Sequence, residues 1–322
     1  MKGESPDASE CVPLLVIVGP TAVGKTAVAI EVARRLGGEI VSADSMQIYL
    51  GLDVGTAKPT AEERRRARFH LIDCADPAQP YSVQQYQRDA EAAIADIHAR
   101  GKLPILCGGT GLYVSAVVDH YVFPPGGEDS GLRESLQAEA ERLGPEALHQ
   151  RLAQVDPAAA AKIHPHNVKR VIRALEAYSV SGRPISELQA VDAAPRLRYN
   201  DRPFGLTMPR ELLYARIEQR FARMVEEGLV AEVERLLAQG LSPECQALQA
   251  LGYRHLAAAL RGRGTVAEAL RLAERDTRRY AKRQYTWFRR DQRVQWVDVH
   301  KLGGLEAVGR WICDGYLHPP AA

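Results

Sequence analysis

Gly19-Pro20-Thr21-Ala22-Val23-Gly24-Lys25-Thr26 is the stretch that decides the fold. It follows the apolar run Leu14-Leu15-Val16-Ile17-Val18 and precedes a helical pattern from Ala27 to Leu36. Strand, glycine-bounded loop and helix therefore come in the order of a phosphate-binding loop. Glycines at both ends let successive backbone N–H groups curl around phosphate oxygens, and the positive end of the helix dipole points at the same anion. Lys25 adds a point charge to the terminal phosphate, and the Thr26 hydroxyl is placed to hold Mg²⁺. The loop leaves open whose phosphates it holds.

Working outward, Glu39-Ile40-Val41-Ser42 reads as a second strand, followed by Ala43-Asp44-Ser45-Met46-Gln47-Ile48-Tyr49. Phe69-His70-Leu71-Ile72 reads as a third, and Leu103-Pro104-Ile105-Leu106-Cys107 as a fourth that delivers Gly108-Gly109-Thr110-Gly111. A helix with apolar residues at helical spacing runs from Tyr81 to Ala99. Loops leaving the carboxyl ends of parallel strands form the ligand crevice, so Asp44 and Gln47 should face the same cavity as the phosphate loop. The fold expected is an α/β, P-loop NTPase-like parallel sheet flanked by helices.

The pattern changes at Phe123-Pro124-Pro125-Gly126-Gly127. From residue 124 to 198 the sequence is rich in Ala, Leu and Glu, is broken by prolines and offers no strand, which reads as a helical insertion domain. The core is then expected in two parts, 11–123 and 199–322, after a disordered lead at 1–10. In the second part Phe204 to Thr207 returns to strand character, Tyr214 to Gln239 and Val266 to Arg290 read as two long helices, and Val294 to Asp298 as a late strand.

Of the 322 residues 46% are hydrophobic and 25% charged, the composition of a globular chain, and no apolar run reaches the length of a membrane span. No signal-peptide pattern opens the sequence, so a cytoplasmic location is expected. Five scattered cysteines without a CxxC pair suggest neither a disulfide framework nor a zinc site. The net charge of +2 hides a densely basic stretch from Arg275 to Arg290. Concentrated positive charge suggests a polyanionic partner for one face.

Three sets of residues point to chemistry. Asp44 leaves a strand beside the phosphate loop, where a carboxylate takes a proton from an incoming nucleophile once water is excluded, caps a helix, or hydrogen-bonds the water around a Mg²⁺ ion. Thr21 and Thr110 occupy glycine-rich loops at the same sheet edge, and Arg216 and Arg220 lie one helical turn apart within reach of a second phosphate. The run from Thr277 to Arg290 interleaves cations with rings, a combination suited to single-stranded RNA. On a helix it places Arg275, Arg279, Lys282 and Arg283 on one face and Tyr280, Trp287 and Phe288 on the other. Lys169 to Arg173 and Arg133 add basic residues in the insertion. These residues alone also fit an ATP-dependent small-molecule kinase with Asp44 as base and the insertion as lid. An RNA-binding GTPase-like module fits less well, because no Asn-Lys-x-Asp stretch is present to read guanine.

The five ordered motifs Gly19 to Thr26, Asp44 to Tyr49, Gly108 to Tyr113, Gln249-Ala250-Leu251-Gly252-Tyr253-Arg254 and Lys282-Arg283-Gln284-Tyr285-Thr286-Trp287-Phe288-Arg289 resemble those of the bacterial tRNA dimethylallyltransferases, the tRNA isopentenyltransferase family. The resemblance runs from Gly19 to about Arg290. Val23 departs from it, standing where the family has a small polar residue, as do about ten extra residues before the first strand.

The resemblance implies transfer of a dimethylallyl group from dimethylallyl diphosphate to the exocyclic amine of the adenosine 3′ of the anticodon, position 37, in tRNAs reading codons that begin with U. It implies Asp44 as general base, Arg220 acting on the diphosphate, Thr21 orienting the diphosphate or the amine, Gly19 to Thr26 holding the diphosphate and Thr26 holding Mg²⁺. It implies tRNA contacts at Asp44, Ser45, Met46, Gln47, Thr110, Arg133, Lys169, Arg170, Val171, Ile172, Arg173, Gln249 to Arg254 and Lys282 to Arg289. The anticodon stem-loop supplies a large interface, so a monomer is expected.

Overall fold

The run ending at Val18 forms β1 (Val12–Val18) in the computed structural model, which describes residues 12–121, 123, 130–191 and 199–318. Five further strands join it: β2 (Gly38–Ala43), β3 (Phe69–His70), β4 (Leu103–Gly108), β5 (Tyr199–Thr207) and β6 (Gln295–Asp298). Their order is β3-β2-β4-β1-β5-β6, and every neighbouring pair is parallel. A parallel sheet is covered on both faces, which is why its strands read as unbroken apolar runs. In β1, Leu14, Val16 and Val18 enter one core with Val41 and Leu106, while Leu15 and Ile17 enter the opposite core with Ile40 and Ile105.

The helices are α1 (Lys25–Leu36), α2 (Ala61–Arg66), α3 (Val83–Ala99), α4 (Gly111–Val118), α5 (Ser130–Leu143), α6 (Pro145–Val155), α7 (Pro157–Ala160), α8 (Val168–Ser181), α9 (Ile185–Val191), α10 (Arg210–Glu226), α11 (Leu229–Ala238), α12 (Tyr253–Leu260), α13 (Val266–Phe288) and α14 (Leu305–Leu317). One face of the sheet is packed by α1 and α14 through Val28, Val32, Val308 and Ile312. The other is packed by α3, α4, α11, α12 and α13 through Tyr86, Ile94, Val114, Val233, Leu256 and Ala273. The long α13 is started by a capping box between Thr265 and Glu268, which satisfies the first free N–H groups reciprocally.

Register places the site. Val18 pairs with Gly108, and Gly108 pairs with Ala43. The segments beginning at Gly19, Asp44 and Gly109 therefore leave three adjacent strands at one level.

The structure corrects two expectations. The helix expected over Tyr214 to Gln239 is two helices, α10 and α11, because Gly228 takes a left-handed φ of 97° and ends the first hydrogen-bond ladder. The third strand stops at His70 because Leu71 and Asp73 turn left-handed, with φ of 59° and 56°. Asp73 then pairs with Lys58 and Arg64.

The chain divides into two compact units, Met1–Val118 with Leu197–Ala322, and Asp119–Arg196. The second contains only helices among its described residues, closed around Leu136, Leu148, Leu152, Val171 and Leu175. The lead at 1–10 and the junctions expected at 124 and 198 lie outside the described residues. No helix among the described residues is long and apolar enough to cross a membrane.

Glu39 fixes the amino end of β2. Its side chain is 2% exposed and accepts a fork from Arg100 at 2.6 and 2.7 Å and a bond from Lys102 at 2.9 Å, with His70 Nε2 at 2.7 Å. The Arg100 hydrogen bonds hold its carboxyl far below the ordinary 4.5, against the opposing effect of burial. A depressed carboxyl stabilises the fold above its unfolded pKa and loses that contribution as pH falls towards the folded value. Glu39→Gln is expected to cost about 2–3 kcal/mol at pH 7, with the difference from wild type shrinking as pH falls below about 4.5. Chemical denaturation of both proteins between pH 3 and 7 checks this, and a pH-independent difference contradicts it.

Candidate active site

The loop after β1 is held in a shape that glycine permits. Gly19 has φ 146°, Ala22 64° and Gly24 105°, and a Cβ on Gly19 would stand 2.8 Å from the Leu206 carbonyl of β5. Gly24 begins α1 without a side-chain cap, and the first turn of α1 contains no acidic residue. The free N–H groups of that turn are thus left for an exogenous anion. Lys25 folds back so that Nζ donates to the Pro20 carbonyl at 2.8 Å. Desolvation lowers its pKa from 10.5 to about 8, against the raising effects of Cys107 and Asp44. The Thr26 hydroxyl has no hydrogen-bond partner among the described residues. Beneath the loop the Cys107 thiol is pushed up to about 12 by desolvation, which leaves it protonated rather than nucleophilic.

A single side chain ties this loop to the next. Gln284 of α13, 5% exposed, accepts from Thr21 N–H at 2.8 Å and donates to the Gly109 carbonyl at 2.9 Å. Gly109 and Gly111 lack side chains because the Gln284 amide and the Trp287 ring occupy the space a Cβ would need. Thr110 completes the join: its N–H donates to the Ala43 carbonyl at 3.1 Å, and its Oγ1 accepts from Ser45 N–H at 3.0 Å.

Above these loops lies a cavity of about 280 Å³. Asp44 Oδ1 accepts from the N–H groups of Met46 at 2.9 Å and Gln47 at 3.4 Å, an Asx turn. Oδ2 takes no hydrogen bond among the described residues. Arg220 of α10 reaches in opposite Asp44, its Nη2 donating to the Thr56 carbonyl at 3.3 Å, and desolvation lowers its pKa. Tyr280 lines the same space with the Arg283 guanidinium 5.6 Å from its ring centroid. Its phenol is pushed up to about 12, first by desolvation and then by Asp44, so it stays neutral. Ile217, Phe221, Met224 and Leu251 give the cavity an apolar wall. An anion cradle, a carboxylate with a free oxygen and an oily wall thus share one enclosure.

The sequence model of the IPP transferase family matches residues 47–291. This chain belongs to the IPP transferase family. Among its relatives, the tRNA dimethylallyltransferase of Thermomicrobium roseum is 51% identical over 295 residues, covering 91% of this chain and 88% of the relative. That of Pelotomaculum thermopropionicum is 49% identical over 300 residues, covering 93% and 95%. The crystal structure of the full-length tRNA isopentenylpyrophosphate transferase from Bacillus halodurans is 43% identical with a TM-score of 0.69, covering 95% of this chain and 97% of that one. A eukaryotic dimethylallyltransferase crystallised acting on tRNA is 27% identical with a TM-score of 0.77, covering 89% and 73%.

In this IPP transferase the cavity gathers Thr21, Ala22, Asp44, Ser45, Met46, Arg220, Gln249, Ala250, Leu251, Arg254 and Arg283 from the residues singled out in the sequence. Several others are engaged elsewhere. Gln47 does not line the cavity; its Nε2 donates to the carbonyls of Thr56 and Ala57 at 3.1 and 3.2 Å. Arg216 donates to the Val23 carbonyl at 3.4 Å. Tyr253 is fully buried, its hydroxyl donating at 2.5 Å to Glu232, whose carboxylate accepts from the N–H groups of Asp53, Val54 and Gly55. Val171 and Ile172 lie in the core of the helical unit, which withdraws their side chains from any RNA. Arg133 and Arg173 both pair with the buried Glu176, while Lys169 and Arg170 are exposed.

The basic run of α13 divides three ways rather than two, because a helix turns through its full circumference about every 3.6 residues. Arg283 turns to the cavity; Lys282, Tyr285, Thr286 and Arg289 open on a groove beside Arg210 and Tyr214; Gln284 and Phe288 are buried. Tyr280, expected on the packing side, lines the cavity instead. The cavity residues missed are Gly55, Thr56 and the wall of Ile217, Phe221 and Met224, and Thr277 was read only as part of the basic run. The i, i+3, i+4, i+7 spacing of Ile217, Arg220, Phe221 and Met224, and the spacing of Thr277, Tyr280 and Arg283, were the available signals.

Lys25 sets a pH dependence. Raising pH through about 8 discharges its ammonium, and with it the charge it would offer an anion. Inorganic diphosphate measured by calorimetry is expected to bind the free protein progressively more weakly from pH 7 to 9, and Lys25→Met to abolish that trend along with most of the affinity. A flat wild-type profile contradicts it.

Proposed function

We propose that the chain transfers the dimethylallyl group of dimethylallyl diphosphate to N6 of adenosine 37 in tRNAs reading U-starting codons and releases diphosphate. The observation that carries this reading is the single enclosure in which Asp44 with its free oxygen, Arg220 and an apolar wall stand over the phosphate loop. Membership of the IPP transferase family agrees with it, and a phosphoryl-transferring kinase is not favoured.

Each residue then has a task. The loop amides of Gly19 to Thr26, with Lys25 and Arg220, receive the diphosphate and stabilise the charge that grows as the allylic C–O bond breaks and its electron pair leaves. Ile217, Phe221, Met224 and Leu251 enclose the five-carbon chain and keep water from the allylic carbon. The lone pair of N6 forms the new C–N bond, and Asp44 accepts the proton that N6 gives up. Because the adenine is stacked in its loop, it must be extruded into the cavity, where Tyr280 offers a ring face. Mg²⁺ fits the chemistry of Thr26, whose hydroxyl has no partner among the described residues, because this ion takes few protein ligands and draws the rest from phosphates and water. Thr26 would hold such an ion, which supplies charge neutralisation to the leaving group. Arg133, Lys169, Arg170, Arg173, Arg254, Lys282, Arg283 and Arg289 supply cations to the anticodon stem-loop. A single chain working in the cytoplasm suffices for this reaction.

Incubation of unmodified tRNA with labelled dimethylallyl diphosphate or labelled ATP is expected to give prenyl label on the RNA and no phosphoryl transfer. ATP consumption with unmodified tRNA would reverse the reading. Asp44→Ala is expected to slow single-turnover transfer about 10²–10⁴-fold with tRNA affinity nearly unchanged. Asp44→Asn, which keeps the Asx turn, should be comparably slow; near-normal activity in Asp44→Asn would assign Asp44 a structural role.

A further inference from the structure

Arg254 lines the catalytic cavity and also a second, open groove of about 770 Å³ between α12 and α13, which His255, Arg263, Arg271 and Arg275 line as well. The two spaces have Arg254 in common. Cations dominate the groove. Its lining carboxylate, Glu268, is committed to its own helix start, accepting from Thr265 N–H and Oγ1 at 2.9 Å. Beneath the rim, the single carboxylate of Asp276 serves Arg254 at 2.9 Å, Arg275 at 3.2 Å, Arg279 at 3.5 Å and His255 at 3.2 Å. Three guanidinium groups on one acid leave a surplus of positive charge. Arg263 and Arg271 are exposed and in no ion pair among the described residues.

The arrangement selects among ligands. Arg271 and Arg275 of the groove lie four residues apart, which spaces their Cα atoms about 6 Å apart along one helix face, on the scale of the phosphodiester repeat. The groove has no Phe, Tyr or Trp in its lining, so no such ring is there to stack a base. Ala258, Gly264 and Ala269 line it too and leave room for close approach. Charge at a regular interval without stacking rings suits contacts that position a nucleic acid rather than read its sequence.

We propose that the α12–α13 groove binds the phosphate backbone of the RNA substrate on the strand that leaves the cavity past Arg254, with Asp276 as the positioning residue that fans its arginines. This rests on the tRNA-modifying reading above. Arg263 and Arg271 contact phosphates flanking the extruded adenosine, and their contribution is independent of base sequence.

The test uses the full chain, a tRNA and its isolated anticodon stem-loop, and the variants Arg263→Ala, Arg271→Ala and the double variant. For the double variant the tRNA Kd should rise roughly tenfold near physiological salt, and the slope of log affinity against log salt should shrink by about 1.5, each single variant giving about half of that. Neutral methylphosphonates placed one at a time in the stem-loop should weaken wild-type binding at one or two positions where the double variant loses nothing further. Arg310→Glu on α14, an equivalent charge loss remote from the groove, should leave Kd and slope unchanged. Wild-type prenyl transfer is measured alongside. Wild-type transfer combined with unchanged Kd and slope in the single variants overturns the groove, as does equal loss in Arg310→Glu. Capture of an acidic protein by the groove with no change in RNA binding also overturns it. Absence of wild-type transfer instead overturns the functional reading on which it rests.

Discussion

The site depends on one primary amide. Gln284 lies almost fully out of water, with its oxygen on the Thr21 N–H and its nitrogen on the Gly109 carbonyl. A buried amide donor or acceptor left without a partner costs about 1–3 kcal/mol, so the arrangement holds both loops at a fixed separation or strains both. The side chain that does this comes from a helix whose sequence otherwise advertises RNA binding. Its close approach is possible because Gly109 and Gly111 present bare backbone to it. The glycine-rich segment after β4 therefore serves helix packing, while that after β1 leaves the first N–H groups of α1 without a side-chain cap.

Charge in the cavity is arranged asymmetrically. Lys25 and Arg220 are both partly desolvated, both are lowered in pKa by that desolvation, and both face Asp44 as a neighbouring opposite charge. Two cations against one carboxylate leave an enclosure that gains when a multiply charged anion enters, because the ligand restores what desolvation removed. The apolar wall formed by α10 sets the other requirement, a ligand with an oily end. A diphosphate ester of a short hydrocarbon satisfies both demands at once.

Much of this was legible in the sequence, for identifiable reasons. The strand order could not be read, but the strands themselves could, since a sheet covered on both faces leaves unbroken apolar runs such as Leu14 to Val18. Asp44 and the phosphate loop were legible because chain direction alone puts both at strand carboxyl ends. Tyr253, Gln284, Val171 and Ile172 are buried although the sequence presents them as RNA contacts, and one reason covers all four. Each lies within a motif that suggests RNA contact, and a motif does not distinguish the residues that touch a ligand from those that hold the others in place. Gly228 was missed because the helical periodicity of Tyr214 to Gln239 continues across it, and only its left-handed φ breaks the ladder. The apolar cavity wall was hidden because it resembles any amphipathic helix face.

The reach of these ties has a consequence for biosynthesis. Gln284 closes on Thr21 across 263 residues, and the Glu232 carboxylate fills a ring of amides at Asp53 to Gly55 from 177 to 179 positions away. While the ribosome is still making the second half of the chain, the emerging amino-terminal half has strands and a loop but lacks both fasteners. The tie between the Thr21 and Gly109 loops therefore forms only after α13 has left the exit tunnel, so the two loops are fixed to each other only when synthesis is nearly finished.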